Sequence, residues 1–480
     1  MTNTYVDNLD FYEEKINPVD SNQYAFQGSW ENFVTKKVTI KLKDGSEVER
    51  VLRFTRHGVV VSSFRQIKDK VISMHWVGDE MSNELKTVGQ LNRASNWNDF
   101  TDALKTFISV SQNVVYADKK GNIGLFCAAG IPIRKRNAVF EILPGWTDEY
   151  DWQGFVPFEE LPYSYNPDRE FVASANNRTV PNDYHYHIGT WYAPPSRYNR
   201  IIELLAKEQA FTVEKFKSIQ LDEHSKLAEA YLPFFLKALE KATLSSNNEK
   251  LAFDMLKKWD YRMDKQSAAA IIFETTYLGF IRCTFEDEMG EALFKRFNGM
   301  SVSEIAIDQL LEKGKSPWFD DVTTPGLTEK LDDVILCSFR NTVDVLQNRL
   351  GSDPGKWEWG KVHGLLLVHP LASVNILDRV FGLNRGPYAV GGSFHTVAAK
   401  SYDWNNPYTV DHGSSQRHIY DLSDWDNSLS VIPTGNSGIP ASKHYCDQTI
   451  LYVNGNYHPD YFSRDKVVEH ARYHQTFVGE

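Results

Sequence analysis

The chain has 480 residues, 42 % of them hydrophobic, which is more than one ordinary core accommodates. Charged residues at 24 % and aromatics at 13 % exclude a disordered polypeptide. With 52 Lys plus Arg against 63 Asp plus Glu, the net charge of −11 disfavours binding along a phosphate backbone.

In chain order, the opening MTNTYVDNLDFYEEK has neither a basic n-region nor an apolar h-region, so any export signal is expected upstream of it. Lys37 to Lys43 alternates apolar and charged residues and predicts a half-buried strand. A turn at Asp44-Gly45-Ser46 leads to a second strand over 49–55, and a short apolar strand over 59–62 follows His57-Gly58. Helical spacing covers 97–109. Strands over 113–118 and 123–128 flank Lys119-Lys120-Gly121-Asn122, a hairpin signal in which Gly121 and Asn122 can take positive φ.

From about Arg197 the apolar period lengthens to three and four residues, predicting amphipathic helices over 198–209 and within 213–241. Ser246 and Glu249 resemble a capping box, and 267–280 is apolar enough for a buried helix. No window approaches the roughly 18 consecutive apolar residues of a membrane span. The last third returns to short strands and turns. Three regions follow, a sheet-rich 1–200, a mainly helical 201–350 and a return to sheet over 351–480, read as one interwoven unit because composition stays even.

Chemistry-bearing motifs are few. HExxH, the P-loop and GxGxxG are missing, and Gly435-Asn436-Ser437-Gly438 is one residue short of a nucleophile elbow. Ser393 and His395 could be a nucleophile and base, but no orienting acid accompanies them, and GGSFHT reads first as a glycine-rich turn. Asp183, His185 and His187 could present metal ligands at alternating positions, although this Tyr-rich stretch reads first as a loop. His57 and His363 read as structural histidines. Cys127, Cys283, Cys337 and Cys446 lie far apart with no CxxC pair, so neither a zinc knuckle nor a redox motif is expected and the thiols read as mainly buried.

A series of segments resembles the penicillin acylase (penicillin amidase) family, in that family's order. They are YADKKGNIG at 116–124, PGWTDEYDWQGFVPFEELP at 144–162, FVASANNRTVPNDY at 171–184 and YAPPSRYNRI at 192–201. QLDEHSKLAEAYLPFFLKAL at 220–239, WEWGKVH at 357–363, HPL at 369–371, GGSFHTV at 391–397, PTGNSG at 433–438 and KHYCDQ at 443–448 continue it. The family belongs to the N-terminal nucleophile hydrolases. The resemblance therefore implies an α+β fold, the α-β-β-α four-layer sandwich with a helical insertion, incomplete at its N-terminus.

It also implies an amidohydrolase that cleaves a linear amide, such as a β-lactam acyl side chain, through an acyl-enzyme. Asn176 matches the side-chain donor of the oxyanion hole, Asn3 the backbone N–H donor, and Arg197 an arginine that supports the site electrostatically. Gln112 falls where phenylacetyl-preferring members carry an apolar side chain, which turns attention to aliphatic acyl groups, as in acyl-homoserine lactones or lipopeptides. Calcium is the implied structural ion, held by Asp7, the carbonyl of Leu9 and Asp10, with a later family aspartate falling at Ile188. The catalytic serine of the family lies several dozen residues before the segment matching Thr2-Asn3, and a smaller α chain precedes it. An upstream segment is therefore the expected partner, and this chain alone is expected to be inactive. Trimming Met1 would make Thr2 N-terminal, but the resemblance places Thr2 on the oxyanion strand. The complete family enzyme is periplasmic or extracellular and acts in antibiotic metabolism.

Overall fold

The computed structural model describes residues 2–65, 67–138, 141–208, 210–299 and 301–479, and divides into two units, Met1–Ala193 and Pro194–Glu480. In the first, the strands in chain order are β1 (Thr2–Asn3), β2 (Leu9–Glu14), β3 (Gln23–Phe26), β4 (Ser29–Asn32), β5 (Val34–Lys41), β6 (Glu47–Thr55), β7 (Gly58–Val60) and β8 (Val71–Trp76). After helices α1 (Glu84–Leu91) and α2 (Trp97–Leu104) come β9 (Gln112–Ala117), β10 (Ile123–Ala128), β11 (Pro132–Arg134), β12 (Ile142–Pro144), β13 (Trp152–Phe155) and β14 (Tyr163–Tyr165).

Two main sheets result, one ordered β12-β2-β8-β7-β6-β5 and one ordered β1-β9-β10-β14. The second is antiparallel throughout, with β1 at its edge and Asn3 opposite Gln112. Its β9–β10 hairpin turns where Gly121 takes φ +86°, while Asn122 keeps negative φ. Phe100, Leu104, Val114, Phe126, Ile131, Val156 and Ile188 form the buried cluster that α2 covers. That helix stops at Leu104, short of the expected Ser109, because the N–H groups of Ile108 and Ser109 turn to the Glu84 carboxylate at 3.3 and 3.2 Å.

The hairpin expected from 37–43 and 49–55 is β5–β6, in register Val38 to Arg50, with Gly45 at φ +84° in its turn. It is not half-buried as its alternation predicts, since every residue of β5 except Val38 is exposed. The cause is topological. β7 pairs only with Phe54 and Thr55, so residues 47–53 have no strand beside them except β5, and the ribbon projects beyond the sheet.

The second unit begins with α3 (Ser196–Ala206), α4 (Val213–Gln220), α5 (Lys226–Lys241), α6 (Asn247–Lys257), α7 (Ala268–Phe297), α8 (Ser301–Lys313) and α9 (Leu331–Leu350). Gln209, the expected end of α3, lies outside the described residues. α4 and α5 are separate because Asp222 leaves the helical path to receive Arg200 through two bonds of 2.9 and 2.8 Å, and Ser225 then caps α5. Ser246 caps α6 as expected, accepting the Glu249 N–H at 3.0 Å, but the Glu249 carboxylate accepts from Ser245 instead of Ser246. α7 continues well past Phe280 and breaks at Gly290, where φ is +69°.

Ile271, Ile272, Phe273, Phe280 and Ile281 of α7 lie buried with Phe235, Phe339, Trp357 and Trp359, and form the centre of this unit. By length and composition α7 could cross a membrane, yet 72 % of its most apolar window is buried in the unit, as in a core helix. Short strands follow, including Gly364–Leu367 between Arg385–Ala389 and Thr409–Val410. The cysteines are not mainly buried. Only Cys127 is, Cys283 and Cys446 are half-buried and Cys337 is exposed, because α7 and α9 present their cysteines at the rim of their contact.

GGSFHT owes its Gly391 to a close approach. A Cβ there would lie 2.4 Å from a Glu223 carboxylate oxygen. Burial, together with a hydrogen bond to Asp264, pushes the Glu223 carboxyl up from 4.5 to about 7, against the pull of Lys400 and Arg262. A carboxyl whose folded pKa is raised stabilises the fold fully below its unfolded value, and that contribution disappears as pH rises through the folded value. Stability should therefore fall by about 3 kcal/mol between pH 4.5 and 7 from this group. Thermal melts of Glu223→Gln across that range should have a correspondingly flatter pH slope, and an unchanged slope would refute the assignment.

Candidate active site

β1 is only two residues long, but its register decides what it can offer. Thr4 N–H donates to Ser111 O at 3.1 Å, so in the antiparallel alternation the Asn3–Gln112 pair is a non-hydrogen-bonded one. The N–H and C=O of Asn3 therefore point away from β9, out over the free edge of the sheet, where Asn3 is exposed. Asn176 comes to this edge from 173 positions away, and its Nδ2 donates to the Asn3 carbonyl at 3.0 Å.

The turn around Asn176 is built to hold it. Asn176 takes φ +65°, a left-handed conformation that asparagine tolerates better than most residues. Buried Asn177 closes the turn, accepting the Ala175 N–H at 3.0 Å and donating to Arg178 O at 2.7 Å. Ser174 ties the turn to the sheet through Thr2 Oγ1 at 2.7 Å and Asn113 Nδ2 at 3.2 Å. The Thr2 hydroxyl is thus engaged in scaffolding; Met1 lies outside the described residues. Gln112 donates from Nε2 to Asn3 Oδ1 at 2.6 Å, so its half-buried amide has the partner that burial demands. Asn3, Gln112 and Asn176 form one constellation. Arg197 belongs to the second unit, half-buried near the start of α3, with its guanidinium 5.6 Å from the Phe394 ring centre.

The segment expected to hold calcium is organised differently. Asp10 and Arg134 have side chains only 2 % and 1 % exposed and form an ion pair at 2.7 Å, with Trp152 Nε1 donating to the same carboxylate oxygen at 2.5 Å. Arg134 also donates from Nη2 to Asp7 O at 2.6 Å, while the Asp7 carboxylate takes His187 at 2.6 Å and Thr190 at 2.7 Å. Leu9 opens β2 opposite Trp76, and Ile188 is apolar and buried. Calcium needs six to eight oxygens. Here the Asp7 carboxylate and Asp10 Oδ2 already have other partners, and although Asp10 Oδ1 is buried without one among the described residues, a dication there would meet a buried guanidinium. The donor set does not fit calcium. Nor do Asp183, His185 and His187 converge, and no cluster of three or more metal-ligating side chains occurs among the described residues.

Sequence reading missed the acid beside His395. Glu304, 91 residues away on α8, reaches its Nε2 at 2.5 Å inside the second unit. Burial alone would lower the pKa of His395, but the Glu304 carboxylate outweighs it and the imidazole is held above its usual range. Ser393 Oγ accepts from the His395 backbone N–H at 3.2 Å, so these residues do not form a nucleophile–base pair. Glu304 and His395 line a cavity of about 150 Å³ with Tyr231, Tyr277 and Asp308. His57 and His363 are both buried, His57 beside Glu14 at 3.1 Å and His363 with Nδ1 at 3.0 Å from the Val390 carbonyl and Nε2 without a partner among the described residues.

Comparison with known proteins decides the family. The family model described as penicillin amidase matches residues 1–469. The chain belongs to the penicillin amidase family. An acyl-homoserine lactone acylase (QuiP) of Pseudomonas syringae pv. tomato is 28 % identical over 95 % of this chain and 57 % of its own length. The penicillin acylase 2 proenzyme of Pseudomonas sp. strain SE83 is 27 % identical over 100 % of this chain and 60 % of its own. The chain thus spans somewhat over half the length of these curated relatives. The thermostable penicillin G acylase of Alcaligenes faecalis superposes with a TM-score of 0.71 at 19 % identity, covering 100 % of this chain and 87 % of that one, and so shares its fold.

Proposed function

We propose that this chain is the larger part of an amidohydrolase that splits an N-acyl compound into acid and amine, with an aliphatic acyl-homoserine lactone as the favoured substrate. The observation that carries the reading is the meeting of the Asn176 amide with Asn3 at an exposed sheet edge. Asn3 N–H and Asn176 Nδ2 there serve as the two donors of an oxyanion hole. A preceding segment completes the α-β-β-α sandwich, and with its smaller α chain brings a serine whose own amino group acts as base. The serine hydroxyl attacks the amide carbonyl, the amine departs with a proton, and water releases the acid. Gln112 beside Asn3 makes the site polar where a phenylacetyl ring would want an apolar wall. Arg134 takes the cation's place beside Asp7 and Asp10, so calcium is not part of the reading. Relatives named acyl-homoserine lactone acylase support the substrate choice, and export to the periplasm would suit such a substrate.

The test is product analysis with N-acyl-homoserine lactones of increasing chain length and with penicillin G. The chain is assayed alone and produced together with the segment encoded upstream of it. Hydrolysis of the lactone amides only in the joint preparation is expected. Silence in both would make the chain a non-catalytic remnant, and turnover by the chain alone that Thr2→Ala abolishes would return the nucleophile to Thr2.

A further inference from the structure

α7 and α9 approach closely because the residues between them are small. A Cβ on Gly279 would lie only 3.5 Å from the Ser338 carbonyl, and Thr276 and Thr342 hydroxyls bond each other at 3.2 Å in the same seam. Cys283 lies one turn beyond Gly279 on α7, and Cys337 immediately precedes Ser338 on α9. Their sulfurs are consequently 3.6 Å apart, about van der Waals contact, at the rim where Cys337 is exposed and Cys283 half-buried. The Asn341 amide points at both sulfurs, 3.5 Å from Cys337 and 3.7 Å from Cys283.

We propose that Cys283 and Cys337 are an oxidisable dithiol that small disulfides convert to a cross-link between α7 and α9. A disulfide needs the sulfurs at about 2.05 Å, a further approach of roughly 1.5 Å that side-chain rotation can supply. The two thiols divide the work. The interaction with Cys283, aided by Asn341, lowers the pKa of the Cys337 thiol, so the exposed member is the one that ionises first. The same interaction and burial push Cys283 up. Cys337 thiolate attacks one sulfur of the small disulfide and expels a thiolate. Cys283 then loses its proton, attacks Cys337 Sγ and expels the second thiol. Two electrons pass to the small disulfide, which leaves as two thiols. The closed loop spans 54 positions and includes α8, which constrains the unfolded chain more than a short loop would.

The proposal is tested on the full chain incubated with glutathione disulfide at neutral pH, followed by intact mass and non-reducing peptide mapping. Expected are a product two hydrogens lighter, a 283–337 peptide link, and loss of two of the four thiols. Its melting temperature should rise by roughly 2–5 °C and return on reduction. Cys283→Ser should instead stop at a single glutathionyl adduct on Cys337. Buried Cys127, whose pKa is pushed up to about 11, should remain a thiol throughout. A lasting glutathionyl adduct on wild-type Cys337, a link through Cys446, or four intact thiols would each overturn the proposal, whatever the variants do.

Discussion

Replacing Asn176 with glycine in the complete enzyme should lower kcat by about 10²–10³-fold, the loss of about 3–4 kcal/mol expected when one oxyanion donor is removed. Glycine is the informative choice because it accepts the left-handed conformation at φ +65° without the strain alanine would add. KM should change little, since the donor acts on charge that develops only in the transition state. In the structure the Asn176 amide rests on the Asn3 carbonyl. An amide nitrogen carries two hydrogens, so that resting bond orients the group using one of them. A variant that kept full kcat would show that the meeting of Asn176 with Asn3 is only a turn fastening.

The second large effect is on stability. Arg134→Met leaves the Asp10 carboxylate buried with only Trp152 to hold it, and should cost about 3–5 kcal/mol. Asp10→Leu together with Arg134→Met should recover most of that loss, because two apolar groups carry no unpaired charge. Calorimetry with added EDTA or millimolar calcium checks the electrostatic half of the argument. The native protein should melt at the same temperature in both. In Arg134→Met, calcium should raise the midpoint, since the Asp10 carboxylate then lacks its cation. A native midpoint that fell with EDTA would put a metal where the structure has a guanidinium.

How far the sequence announced this molecule differs from element to element. The β5–β6 and β9–β10 hairpins, the Ser246 cap and the apolar start of α7 are readable because local chemistry decides them. β2 was not read as a strand because its buried face is Asp10, Tyr12 and Glu14, a polar network that inverts the usual alternation. Its carboxylates tolerate burial only through partners far along the chain, Arg134 for Asp10 and His57, Thr55 and Ser73 for Glu14. The same distance hid Glu304 from His395 and Cys283 from Cys337. Asn3, Gln112 and Asn176 carried no local signal either. Only the ordered series of family segments pointed to Asn3 and Asn176, and the register of a two-residue strand gives their meeting a geometric sense.

The projecting β5–β6 ribbon has a consequence for how copies of the protein meet. An outermost strand with unoccupied backbone groups invites another molecule to add a strand there. Here that strand carries Lys36, Lys37 and Lys41, with Lys43 just beyond, and every one of them is exposed. A second copy approaching in register would bring lysines against lysines, and the repulsion would grow with each residue paired. The ribbon therefore protects its own edge by charge, and its Asp44–Ser46 tip is a natural place to attach a tag or tether, since all three residues there are exposed.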